Sequence, residues 1–453
     1  MRFNPRIFRE YDIRGIVGED LDPENVKVLG RAIGTYYREK GIREISLGRD
    51  CRLSSPELRD ALVEGLLDTG MRITDLGVVP TPLLYFSIVW LKQGGGVMIT
   101  ASHNPPQFNG FKVCVGKDAI YGEEIKKLHL MAESGRFIKG TGEIRFYDIK
   151  TDYMDFVASQ IKVGEPFKVV LDAGNGTAGV VAVPLFERLG FEVYGLYCEM
   201  DGTFPNHHPD PTVEDNLKDL KEKVKEVGAL VGFGYDGDGD RLGVVDEKGE
   251  IVWGDRLMVI FARDILKERE GGVFIAEVKC SQVLFDEIER LGGKAIMWKT
   301  GHSLIKDKMR KEGALLAGEM SGHMFFADRY FGFDDAIYAS ARLLEIMSKT
   351  KKRVSELLEG LPSTFATPEI RRECPDELKF KVVERFKEMV KGKYPYVDID
   401  GVRVNFGDGW GLVRASNTQP ALVLRFEAQS PERLEEIQGV IGELLKEAME
   451  ELC

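Results

Sequence analysis

Along the first part of the chain, apolar positions alternate between two spacings. After Asp22 and Pro23, Val26, Leu29 and Ile33 recur at helical intervals, and Leu58, Ala61, Leu62 and Leu66 repeat the pattern after Ser55 and Pro56. Both runs predict helices with proline in the first turn, where its missing N–H is not needed, and Gly70 is the expected stop of the second. EISLG (44–48) and RITDLG (72–77) are short apolar runs of strand type. The unit recurs downstream. KVVLDAGNGTAG (168–179) and GVFIAEVKCS (272–281) are buried-strand runs that end in a polar or glycine-rich turn and lead into helical patterns. Strands alternating with helices imply βαβ units and largely parallel sheets, with ligands beyond the carboxyl ends of the strands. The expectation is three similar α/β domains, spanning 1–149, 150–250 and 251–364.

After about residue 365 the pattern changes. A helix is expected over Asp376 to Val390, and Asp400 and Gly401 within YVDIDGVRVNF signal a hairpin. ALVLRFEA (421–428) reads as a strand, and Ser430 with Pro431 opens a closing helix. This tail, 365–453, is expected to form a smaller C-terminal α+β domain.

Composition narrows the class. A chain of 453 residues is too long for one core, and 43% hydrophobic with 30% charged residues fits a folded globular protein. No apolar run reaches the roughly 18 residues of a membrane span. The first residues, MRFNPRIFREYDIRG, carry charges and no apolar signal region, so a cytoplasmic location with no membrane partner is expected. The formal charge of −12 argues against a nucleic-acid partner, which needs a basic stripe. The six cysteines show no C-x-x-C spacing, so neither a zinc site nor a disulfide framework is indicated. No part of the pattern specifies an oligomeric state.

Candidate chemistry lies in four short segments. In GYDGDGDRLG (234–243), Asp236, Asp238 and Asp240 alternate with glycines and can fold around one hard cation such as Mg²⁺ or Ca²⁺. An EF-hand competes, since Glu247 falls at its twelfth position, but Arg241 stands where that loop needs glycine, and strand-like runs flank the segment. GEMSGH (318–323) sets Glu319, Ser321 and His323 in a turn suited to vicinal hydroxyls, with a solvated loop as the plain alternative. RASNTQP (414–420) collects Arg414, Ser416, Asn417 and Thr418, a set that matches a phosphate monoester, unless it is only a polar turn. His302 and Lys279 each look ordinary alone. In ITASHNPPQFNGFK (99–112) the plain reading is a proline-rich turn. A Ser102–His103 acyl-transfer pair is disfavoured, because sequence neighbours rarely face each other and no G-x-S-x-G elbow is present; no P-loop motif occurs either. A phosphoryl group on Ser102 would join the segments: it needs a cation, and a phosphorylated substrate needs the arginine turn.

Taken in order, TASHNPP with NGFK, YDGDGDR, GEMSGH and RASNTQP resemble the four motifs of the α-D-phosphohexomutase family. FREYDIRG, GRDCRLSS, FPNHHPDP, VKCS and WKTGHSLIK are similar to further family segments, so the likeness spans nearly the whole chain. The resemblance implies three α/β domains and a fourth α+β domain around a central cleft. It also implies interconversion of hexose 1- and 6-phosphates through a phosphoserine at Ser102 and a hexose 1,6-bisphosphate, which serves as intermediate and activator. By the same resemblance Asp236, Asp238 and Asp240 hold Mg²⁺ with the phosphoserine, and Arg14, His103 and Lys112 line it, with His103 or Lys112 assisting proton transfer. Glu319 and Ser321 bind the sugar hydroxyls. Arg414, Ser416, Asn417 and Thr418 bind the distal phosphate with Tyr11, Lys279 and His323, while Arg241 and His302 contact the ligand. The cation motif reads DGDGDR where alanine commonly fills the fourth place. GEMSGH resembles the phosphomannomutase/phosphoglucomutase group, which points to mannose and glucose phosphates. Phosphoglucosamine mutase is the alternative within the family, and a sugar-phosphate phosphatase or a non-catalytic sugar-phosphate sensor the alternatives outside it.

Overall fold

The computed structural model describes residues 3–417 and 419–452. Among them four sheets succeed one another along the chain. In the first, Gly95–Ile99, Glu44–Arg49, Arg72–Val78 and Glu143–Phe146 run parallel, and Phe108–Val115 returns antiparallel between Gly95–Ile99 and Ile13–Ile16. The second pairs Val231–Tyr235, Lys168–Asp172 and Glu192–Leu196 in parallel, then adds Leu242–Asp246 and Ile251–Val252 antiparallel. The third runs Lys294–Trp298, Val273–Glu277 and Leu316–Gly318 in parallel and closes with antiparallel Met324–Phe326. The fourth is antiparallel throughout.

The expectation of largely parallel sheets is therefore corrected to mixed ones. The reason lies in the links 100–107, 236–241 and 319–323. Each is shorter than the dozen or so residues that a parallel crossover requires, so the next strand must return as a hairpin. These links are the segments that carried the candidate chemistry.

The expected helices form where caps and periodicity placed them. Asp22 and Asn25 cap Pro23–Glu39 reciprocally, and Ser430 accepts the N–H of Arg433 at the start of Pro431–Glu450. The helix Asp376–Val390 has the bounds read from the sequence. Gly70, at φ +77°, reverses the chain after Ser55–Leu67. Cys51, Cys114, Cys198 and Cys280 form no disulfide among the described residues. Among the described residues, no helix is long and apolar enough to cross a membrane.

One hydrophobic core joins parts of the first three sheets, while the helices Pro23–Glu39 and Ser55–Leu67 pack in a separate core around Leu29, Leu62 and Phe111. Tyr85 and Phe86 from Thr81–Trp90, Tyr153, Phe186 and Phe233, and Phe261, Phe326 and Tyr338 belong to the first of these. The helix Thr81–Trp90, TPLLYFSIVW, is apolar on nearly every face, as a helix enclosed on all sides must be. The fourth sheet instead packs on its own two helices around Phe386, Leu424 and Ile441.

Buried arginines join that last unit to the third. Arg403 donates from Nη1 to the carbonyls of Val278 at 2.6 Å and Cys280 at 2.8 Å, and its guanidinium lies 3.7 Å from the Trp410 ring centroid. Arg425 donates to the Lys279 carbonyl and faces Asp255 at 3.5 Å. Arg403→Ala leaves two buried carbonyls without donors. It should cost about 2–4 kcal/mol of stability, read as a lowered melting temperature; an unchanged transition would show that the joint rests on other contacts.

Candidate active site

Each site loop links two adjacent antiparallel strands, and in the first three sheets it leaves the carboxyl end of a parallel strand. Ser102 follows Gly95–Ile99 and is buried, with φ +50°, a left-handed conformation unusual for serine. Its N–H donates to Thr100 Oγ1 at 2.9 Å, and its Oγ donates to Asp236 Oδ2 at 2.7 Å. His103 Nδ1 lies 3.1 Å from the same Oγ. The expectation that these neighbours point apart is thus not met, because the left-handed turn at Ser102 folds the two side chains together. Gly237 makes the approach to the aspartates possible, since a Cβ there would come within 2.6 Å of the Ser102 carbonyl oxygen.

Asp236, Asp238 and Asp240 are fully buried, and carboxylate oxygens from all three lie within 4.8 Å of one another. Asp236 Oδ1 accepts the backbone N–H groups of Asp240 and Arg241, both at 3.1 Å, which closes the turn. Gly239, at φ +71°, occupies the place where alanine is common, and the backbone there favours glycine. Lys112 Nζ bridges Asp238 at 2.8 Å and Asp240 at 2.5 Å. Thr81 donates its hydroxyl to Asp238 Oδ2 at 2.5 Å and its N–H to the Asp238 carbonyl at 2.8 Å. Asp238 Oδ1 is buried without a hydrogen-bond partner among the described residues. Three converging carboxylates, one with an orphaned oxygen, are a hard-oxygen donor set that fits a divalent cation. The EF-hand alternative is set aside, for a hairpin turn and not a helix–loop–helix holds the aspartates.

Burial, reinforced by Asp240 and Asp238, pushes the Asp236 carboxyl well above the ordinary range. Burial would do the same to Asp240, but Lys112 and His323 outweigh it and hold Asp240 well below. Burial also works against charge on Lys112, and the two aspartates overcome it, so the ammonium persists.

The third loop closes on the second. His323 Nδ1 is 2.7 Å from Glu319 Oε2 and its Nε2 is 3.3 Å from Asp240 Oδ1. Although burial opposes it, Asp240 and Glu319 push this imidazole up to about 10. Glu319 Oε1 accepts the Gly301 N–H at 2.7 Å, and Ser321 Oγ stands 3.3 Å from His323 Nδ1. Arg241 pairs with His323 through the backbone. His302 heads the helix His302–Glu312 beside them, its ring centroid 5.8 Å from that of His323. Burial and then Lys306 and Lys112 hold it well below its usual value, so it is neutral.

Tyr11 reaches across the units. It donates to the Thr300 carbonyl at 2.9 Å and accepts from Asn417 Nδ2 at 2.8 Å. Arg14 is bonded to Asn104 and Asp12, so it braces the serine loop. Arg414 faces Asp400 at 3.1 Å, and Lys279 faces Glu369 at 2.9 Å and Glu277 at 3.5 Å. The cations expected to meet a phosphate thus each hold a carboxylate. Ser416 Oγ accepts the Gln419 N–H at 3.1 Å. Thr418 lies outside the described residues. The serine, aspartate and glutamate loops meet through these contacts, Tyr11 ties Asn417 to the Thr300 carbonyl, and the structure adds Thr81, Asp400, Glu369 and Glu277. In the sequence Thr81 is legible only as the start of a helix, and Asp400 only as a hairpin residue.

Descriptions of the phosphoglucomutase/phosphomannomutase family match in four consecutive pieces: alpha/beta/alpha domains I at 5–135, II at 151–249 and III at 253–365, and the C-terminal domain at 369–443. A phosphomannomutase/phosphoglucomutase of Pseudomonas putida is 48% identical over 96% of this chain and 94% of its own length. The chain belongs to the phosphoglucomutase/phosphomannomutase family. A phosphoglucomutase of Neisseria gonorrhoeae is 47% identical over 96% of this chain and 95% of its own. The crystal structure of a phosphoglucomutase/phosphomannomutase family protein from Burkholderia thailandensis superposes with a TM-score of 0.94 at 43% identity, covering 99% of this chain and 98% of that one.

For this family member, Thr81→Val removes a hydroxyl that orients Asp238 while all three carboxylates remain. Mg²⁺ affinity should fall about 10- to 100-fold in titration calorimetry. Undiminished affinity would place the cation away from Asp238.

Proposed function

We propose that the chain is a phosphohexomutase that interconverts hexose 1-phosphates and 6-phosphates of mannose and glucose. The segments 1–149, 150–250, 251–364 and 365–453 each supply one loop to the site. The observation that carries this reading is Ser102 Oγ set 2.7 Å from Asp236 in a buried aspartate turn, within a chain of this family. Ser102 in its phosphorylated form gives its phosphoryl group to a free hydroxyl of the sugar phosphate. The P–Oγ bond breaks, a bond to the sugar oxygen forms, and the hydroxyl proton passes to Ser102 Oγ, which leaves as a hydroxyl. The resulting hexose 1,6-bisphosphate turns over and returns its other phosphoryl group to Ser102.

Asp236, Asp238 and Asp240 would hold Mg²⁺, which would supply positive charge against the transferring oxygens, the main requirement of phosphoryl transfer. Lys112 is fixed as a cation by Asp238 and Asp240, so its part is electrostatic. His103 suits the proton step at Ser102. Burial, with Arg241 and Arg14, keeps its ring neutral, and Nδ1 lies 3.1 Å from the Oγ that must lose its proton when Ser102 is rephosphorylated. Glu319 and Ser321 are assigned to the sugar hydroxyls. Arg414 and Lys279, which face Asp400 and Glu369, are the cations assigned to the distal phosphate, together with Tyr11, Ser416, Asn417 and His323.

A coupled assay with hexose 1,6-bisphosphate tests the reading. Mannose and glucose 1-phosphates should be isomerised without accumulation of inorganic phosphate. Preference for the glucosamine phosphate would indicate phosphoglucosamine mutase, and released phosphate a phosphatase. Ser102→Ala should lower kcat by roughly 10⁴-fold or more with substrate binding retained, and wild-type turnover in that variant would sink the phosphoserine assignment. Arg414→Ala should raise KM roughly 10- to 100-fold, the worth of charge-assisted hydrogen bonds to a phosphate.

A further inference from the structure

Behind the serine loop, outside the residues assigned above, lies a guanidinium with no exposed surface. Arg52 uses all five of its N–H donors. Nε donates to Asp50 Oδ2 at 3.0 Å, Nη1 to the carbonyls of Pro105 at 2.7 Å and Phe108 at 3.1 Å, and Nη2 to those of Ser102 at 2.8 Å and Asn104 at 2.6 Å. Its side chain has 0% relative exposure, and the Phe204 ring from the second unit covers one face at 5.2 Å. Asp50 is itself fixed, since Oδ1 accepts from the Arg52 N–H at 3.0 Å and the Ser55 hydroxyl at 2.6 Å.

The loop needs such a group for a simple reason. Pro105 and Pro106 contribute carbonyls but no N–H, so this turn has more acceptors than donors, and buried carbonyls must be paired. Ser102 also departs from the conformation a serine prefers, with φ +50°. A planar five-donor fork can satisfy four carbonyls at fixed angles, whereas a lysine offers three donors from one point.

We propose that Arg52 is a positioning residue for phosphoryl transfer. By holding the carbonyls at 102, 104, 105 and 108 it fixes the strained loop that presents Ser102 Oγ to the aspartate turn. It touches no reacting atom, and its role rests on the reading of Ser102 as the phosphoryl carrier.

The test uses Arg52→Lys and Arg52→Gln in the full chain, with amide hydrogen exchange measured without substrate and steady-state kinetics on glucose 1-phosphate with glucose 1,6-bisphosphate. Exchange over residues 100–110 should accelerate about tenfold or more, while Ser55–Leu67 and the fourth sheet stay unchanged. In the same variants kcat should fall about 30-fold or more with KM within about threefold, and lysine should retain more than glutamine. Leu53→Ala, at the position that directly follows Arg52 and with a side chain 73% exposed, should alter neither readout. Wild-type kcat in a folded Arg52→Lys chain, or unchanged exchange over 100–110, overturns the proposal. If both variants fail to fold, Asp50→Asn, nearly isosteric, takes their place: faster exchange over 100–110 with lowered kcat supports the proposal, and wild-type behaviour in either measurement overturns it. Absence of turnover in the wild type would count against the mutase reading, and the exchange measurement would still decide whether Arg52 holds the loop.

Discussion

Three carboxylates are taken wholly out of water at Asp236, Asp238 and Asp240, and that constraint dictates what surrounds them. An unpaired buried carboxylate is so costly that it either neutralises or acquires partners. Asp240 gathers Lys112 and His323, which hold it well below the ordinary carboxylate range. Burial and the neighbouring carboxylates push Asp236 above that range, even though Ser102 and two backbone N–H groups donate to it. The partners come from different parts of the chain: Lys112 and Thr81 from the first unit and His323 from the third. Charge balance around one turn therefore ties the first and third units to the second. The Asp238 oxygen without a partner among the described residues marks where a cation could add to that balance.

The placement of the loops follows from chain length between strands. A link too short for a crossover forces an antiparallel return, and it delivers a tight polar turn at the carboxyl end of a parallel strand, where α/β sheets bind ligands. The serine, aspartate and glutamate loops all arise this way. A common core makes the three sheets behave as one frame, so the turns keep their spacing. The fourth unit differs, for its core is its own and its joint to the third is polar, made by Arg403 and Arg425 on carbonyls and a carboxylate. Tyr11 links both sides of that joint through Thr300 and Asn417.

Much of this is legible in the sequence, because caps and periodicities are local. Asp22, Ser430 and the run from Asp376 to Val390 carry their own signals. The motif residues are legible because three alternating carboxylates or an arginine beside hydroxyls have few other uses. What stays hidden depends on contacts between distant segments. Nothing near Thr81 announces a bond to Asp238, 157 positions away, and nothing near Glu369 announces Lys279, 90 positions away. The contact between Ser102 and His103 escapes a sequence reading for the opposite reason. It is local, but it exists only because the backbone at Ser102 adopts a conformation that sequence statistics disfavour.

That conformation is the feature from which the chemistry follows. A left-handed serine costs on the order of 1–2 kcal/mol, and such strain persists only where the surroundings over-determine it. Here they do. Thr100 holds the N–H of Ser102, Asp236 takes the hydroxyl, Arg14 anchors Asn104, and Gly237 leaves room for the carbonyl. The two prolines remove further freedom from the unfolded chain, so less entropy is lost when the turn forms. In the proposed cycle Ser102 gives and regains the same group, so it must start each half from one position. A loop strained into place before any ligand arrives meets that demand without spending substrate binding energy on rearrangement.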